Sequence, residues 1–112
     1  MDSRFIESGS TWYTSPIAGE LTAVLKATPG KLFYLRISNL TAAARFIFLF
    51  DSASAAGALF GPPVRLAANE QVELKLVYPM QGAVGLTLSS STTQNAYAAG
   101  GANDMQVHAL FK

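Results

Sequence analysis

Apolar and polar residues alternate along most of this chain in runs too short for helices, and clusters of Gly, Pro, Asn and Ser separate the runs. A period of two puts successive side chains on opposite faces of a β-strand. The densest stretch is KLFYLRISNLTAAARFIFLFD, residues 31–51. Its first half predicts a strand with Phe33, Leu35 and Ile37 on one face and Tyr34, Arg36 and Ser38 on the other. Ser38-Asn39-Leu40-Thr41 supplies turn residues, and the chain is expected to return as a hairpin through residues 45–50, RFIFLF. A continuous apolar run of that length suits a central strand covered on both faces.

The other elements follow from the same alternation. Residues 20–28 alternate loosely into Pro29-Gly30, a type II turn dipeptide, so they are expected to pair as a hairpin with 31–38. After Asp51 a loop of small residues closes in Gly61-Pro62-Pro63. Two prolines remove two backbone donors, which places this loop at a sheet edge or between sheets. Residues 64–67 read as a short strand. Residues 71–78 set Val72, Leu74 and Leu76 against Glu73 and Lys75, with Pro79 expected to end the strand. Residues 82–89 predict a strand with Val84, Leu86 and Leu88 on one face. The final run predicts Met105, Val107, Ala109 and Phe111 inward and Gln106 and His108 outward. Seven or eight short strands without a convincing amphipathic helix predict an all-β, single-domain antiparallel β-sandwich of jelly-roll type. An immunoglobulin-like sandwich is the second arrangement, but its Cys–Trp–Cys marker is absent.

Residues 1–19 read differently, as an extended N-terminal arm ahead of a sandwich domain over 20–112. Most of the arm is polar or small, and Phe5, Ile6, Trp12 and Tyr13 stand out from it. Either Trp12 folds back onto its own domain, or these four residues form a protein interface that docks on a neighbour, as aromatic anchors commonly do.

Composition sharpens this choice. Half of the 112 residues are hydrophobic and only 13% are charged, about half the usual share for a soluble domain. So few charges suggest a surface hidden in an assembly. Eight Lys and Arg nearly balance seven Asp and Glu, with no basic stripe of the kind that grips nucleic acid. Cysteine is absent, so neither disulfides nor thiolate chemistry is available. No apolar run approaches the length of a membrane-spanning helix, and residues 1–10 lack the apolar core of a secretory signal. A protein made and soluble in the cytosol is expected, with neither nucleic acid nor membrane as partner.

Candidate chemistry is sparse. His108, the single histidine, lacks companions for a metal site, which needs three or four converging ligands. Glu70 and Glu73 are expected to face opposite ways, so they do not pair for acid–base work. Asp51 is the best isolated carboxylate, and a turn that follows it would use it as a hydrogen-bond acceptor. The serines of 52–54 and 89–91 lack a nucleophile-elbow context, and Gly100-Gly101 lacks the setting of a phosphate loop. Among the aromatics, Tyr78 and Tyr97 fall in loops where they could serve as sugar-stacking platforms, although packing suits most aromatics better. The sequence therefore predicts no enzyme, with no catalytic residue, cofactor or metal.

The segments AVLKATPGKLFYLRISN, AAARFIFLFDSASA, VYPMQGAVGLTLSS and MQVHALFK together resemble a group of short structural proteins of tailed bacteriophages, over residues 21–112. The resemblance implies a small β-rich virion component, nearest in type to capsid decoration (cement) proteins. It implies a homotrimer on the outer capsid surface, with the major capsid protein as partner. A tail, baseplate or head–tail connector component is one alternative, and a carbohydrate-binding host-attachment module the other.

Overall fold

The computed structural model describes residues 9–112, the side chain of Val77 excepted. Nine strands follow in order: β1 (Thr11–Thr14), β2 (Thr22–Lys26), β3 (Gly30–Asn39), β4 (Arg45–Asp51), β5 (Ala58–Leu59), β6 (Val64–Leu66), β7 (Gln71–Gly82), β8 (Leu86–Ser91) and β9 (Met105–Phe111). They form two antiparallel sheets. One has the order β1-β9-β3-β7; the other runs β2-β8-β4-β5, with β6 also pairing β4. Apart from the step through β4, β5 and β6, each strand lies in the opposite sheet from the strand before it. With β5 and β6 sharing one strand's place, this is the winding of a jelly-roll sandwich.

The inward face of each strand builds one core. Leu35 and Ile37 of β3, Ile47 and Leu49 of β4, and Leu86 and Leu88 of β8 meet between the sheets. Burying a side chain of this size is worth about 1.5–3 kcal/mol against leaving it in water. β9 contributes Met105, Val107 and Ala109, all fully buried, while His108 faces out, as the alternation predicts. β4 is central in its sheet and covered on both faces, which accounts for its unbroken apolar run.

Five expectations are corrected. Residues 20–28 do not pair with β3: β2 runs along β8, and Pro29-Gly30 carries the chain across to the other sheet. β3 and β4 likewise lie in opposite sheets rather than forming a hairpin. Pro79 does not end β7, which continues to Gly82 as an edge strand, where a missing N–H is tolerated. Finally, Thr11–Thr14 is not part of a separate arm; β1 pairs with β9 through four successive positions. Val84, expected inside a strand, stands 55% exposed in the turn between β7 and β8.

Candidate protein interface

A local irregularity gives the β1-β9-β3-β7 sheet an apolar patch on its outer side. Leu32 stands opposite Phe111 and Tyr34 opposite Leu110, so β3 carries one extra residue, Phe33, between them. Such a bulge breaks strict alternation. Leu32 takes the inward place expected of Phe33, and Phe33 joins Tyr34 and Leu110 in a second buried cluster.

Trp12 lies over this cluster. Its indole stacks on the His108 imidazole, with centroids 4.6 Å apart and planes within 7°. It meets the edge of Tyr34 at 5.7 Å. One ring face is thus covered, yet Trp12 remains 45% exposed. Thr14 Oγ1 lies 2.9 Å from His108 Nδ1 and fixes the imidazole's orientation. Across the sheet the Tyr34 hydroxyl donates to Glu73 Oε2 at 2.5 Å. Burial and this carboxylate push the Tyr34 phenol above its ordinary range. The same hydrogen bond, with Lys75 and Arg36 nearby, holds Glu73 below the ordinary carboxylate range. An aromatic centre rimmed by Arg36, Glu73 and Lys75 has the anatomy of a protein-binding surface.

The outer side of the other sheet is closed by the chain itself. Phe48 and Phe50 of β4 project outward, and the loop after β8 folds over them. Tyr97 places its ring edge-on against both, at 5.6 and 5.5 Å, and its hydroxyl lies 2.6 Å from Ser89 Oγ. Tyr97 is therefore a packing residue, whereas Tyr78 projects from β7 at 85% exposure.

Each carboxylate among the described residues is engaged by the fold. Glu20 accepts from the Tyr13 hydroxyl at 2.6 Å and from Ser15. Burial and then this contact push the Tyr13 phenol far above its usual range. Asp51 accepts from three successive amides, Ala83, Val84 and Gly85, at 3.1, 2.8 and 3.2 Å. Those bonds, led by Val84, hold its carboxyl below the ordinary range. The acceptor role expected of Asp51 is thus real, but it serves the turn before β8 rather than the turn following Asp51. Glu70 accepts from the Ala67 amide. Asp104 Oδ2 accepts from Arg45 Nε at 2.7 Å, Gly101 at 2.9 Å and Ser90 at 3.0 Å. The buried serines 89–91 all have hydrogen-bond partners as well. Among the described residues no group of His, Asp or Glu could hold a metal ion.

Of the four residues expected at an interface, the structure separates Trp12, which faces outward, from Tyr13, which packs against the core. Phe5 and Ile6 lie outside the described residues. The sequence reading missed Phe33, which only the bulge brings to the outer side; outward alternation already marked Tyr34 and His108, and it places Leu110 on the same side. No protein-family model, curated protein or solved structure matches this chain.

Proposed function

We propose that the chain is a structural protein of a virus particle and not an enzyme: a capsid decoration protein that binds the outer shell of a tailed phage and bridges its major capsid protein subunits. The observation that carries this reading is the outer patch of Trp12, Tyr34 and His108, aromatic at its centre and charged at its rim. The carboxylates support the same reading, since each one described already holds a loop or a side chain of this fold. A sandwich with a hidden core and an outer aromatic patch on which Trp12 stays 45% exposed acts by being bound, and its low charge fraction suits a subunit of an assembly.

The test is the copy number in purified particles, by quantitative mass spectrometry against the major shell protein. A copy number comparable to the shell protein is the expected result. A dozen copies or fewer would move the protein to the tail or connector, and absence from the particle would end the virion reading. A host-attachment role remains the second reading because of Tyr78, whose exposed ring suits sugar stacking. Binding on a glycan array that is lost in Tyr78→Ala would favour it.

A further inference from the structure

Among the described residues the sandwich has four lateral edges, and three of them are guarded against pairing with another chain. An open strand edge is a template for a foreign strand, and proteins blunt it with bulges, prolines, charges or very short strands. β7 carries Pro79, with residues 76–79 standing opposite Phe33 alone, and its Glu73 and Lys75 are charged. β2 has a bulge between Val24 and Lys26 and ends on that lysine. β5 has two residues and is followed by Gly61-Pro62-Pro63. β1, TWYT, is also short and Pro16 lies two residues beyond it, but within its own four residues it has no charge, no proline and no break in its register with β9.

We infer that β1 is a self-association edge, pairing antiparallel with β1 of a second copy about a two-fold axis. The backbone fixes how the copies meet. The Ser15 amide donates to the Val107 carbonyl at 2.9 Å. In an antiparallel ladder alternate residues bond to the same neighbour. Thr11, Tyr13 and Ser15 therefore address β9, and the N–H and C=O groups of Trp12 and Thr14 point out of the edge. Opposed residues must also share a sheet face. Trp12 is outward and Tyr13 inward, and among the registers that meet both conditions the one that uses both outward-bonding residues of each β1 sets Trp12 opposite Thr14 of the second copy and Thr14 opposite its Trp12. That register makes four hydrogen bonds, with Tyr13 beside the axis. Neither strand carries a charge, so no like charges are opposed.

A three-fold ring, as the phage resemblance implies, would require β1 to meet a different edge. Each of the other edges is guarded, so the geometry favours two-fold pairing. This inference stands apart from the proposed function: a decoration protein need not pair this way, and a pairing strand need not decorate a shell. The contact is small beside the roughly 800 Å² per partner of stable complexes, so association is expected only at high protein concentration.

Sedimentation velocity over a concentration series tests it, starting from the 11.9 kDa chain. The parent should rise toward twice that mass, with the emission of Trp12, the single tryptophan, shifting to the blue in step. Thr14→Pro removes a donor that β9 does not use, and should keep the fold while weakening association at least about tenfold. Thr14→Val, which loses the hydroxyl at His108 but keeps the amide, should associate like the parent. Hydrogen exchange of the parent gives a reading without any variant: the Trp12 and Thr14 amides should gain protection as concentration rises. A constant monomer mass, a trimer with those amides unprotected, or a folded Thr14→Pro that associates like the parent would each overturn the pairing.

Discussion

Asp104 offers the sharpest test of how this sandwich is held at one end. Its Oδ2 draws together the Arg45 guanidinium of β4, the Ser90 hydroxyl of β8 and the Gly101 amide of the covering loop. The side chain is 7% exposed and that of Arg45 20%, while Ser90 is fully buried. Asp104→Ala removes the acceptor, leaves the buried Ser90 hydroxyl without a partner, and leaves the mostly buried Arg45 cation with the Ala44 carbonyl alone. Breaking a buried pair from one side typically costs about 3–5 kcal/mol. Water can reach part of the Arg45 side chain, so the lower end, about 3 kcal/mol, is expected. For a domain of this size each kcal/mol lowers the melting temperature by about 4 °C, so the variant should melt about 12 °C lower. Removing the stranded cation as well, in Arg45→Met/Asp104→Ala, should recover about 1–2 kcal/mol, which a double-mutant cycle in urea would read as coupling.

The pH dependence carries the same signature. Burial raises the Asp104 pKa, and the hydrogen bonds from Arg45, Gly101 and Ser90 outweigh it, so the folded carboxyl lies below its ordinary value. Its contribution is therefore present above the unfolded pKa near 4 and is lost as pH falls through the lower folded value. Asp104→Asn should flatten that part of the acid limb and leave the pH dependence above about pH 6 unchanged. A cost below about 1 kcal/mol for Asp104→Ala, or a cycle with no coupling, would show that the ion pair does not hold the loop.

Other substitutions probe separate parts of the argument. A Cβ at Gly85 would lie 2.7 Å from the Ser52 carbonyl and 2.8 Å from that of Lys26, so Gly85→Ala should destabilise by about 1–3 kcal/mol in chemical denaturation. Asp51→Asn weakens the cap on the Ala83–Val84–Gly85 amides; it should lower the melting temperature at neutral pH, and the gap to the parent should narrow in acid, where the parent's carboxylate is itself lost. Tyr97→Ala uncovers Phe48 and Phe50; a cost of about 2 kcal/mol, below that of a fully buried aromatic because Tyr97 is only partly buried, should come with increased binding of a hydrophobic dye.

The periodicity of this sequence reports faces well and partners poorly, and the winding explains the difference. Whether Val107 is inward and His108 outward depends on neighbours one residue away, so alternation conveys it directly. Which strand lies beside β2 depends on β8, more than sixty positions later, and no local signal encodes that. A turn dipeptide such as Pro29-Gly30 reverses the chain equally well within one sheet or from one sheet to the other. Hairpin pairing is the natural expectation when consecutive strands usually neighbour one another, but a jelly roll sends them to opposite sheets. The outer patch fails to show for a related reason. Phe33 reads as a core residue under strict alternation, and the single extra residue in β3 that turns it outward is set by pairing with β9. Trp12 stood out because a tryptophan among small polar residues is conspicuous, yet its role required the ladder with β9 before it could be read. The outer patch is thus built from the tertiary register, which a single sequence carries only implicitly. That is why the uncharged, unbroken edge of β1, invisible as a sequence motif, becomes informative once the other three edges can be compared with it.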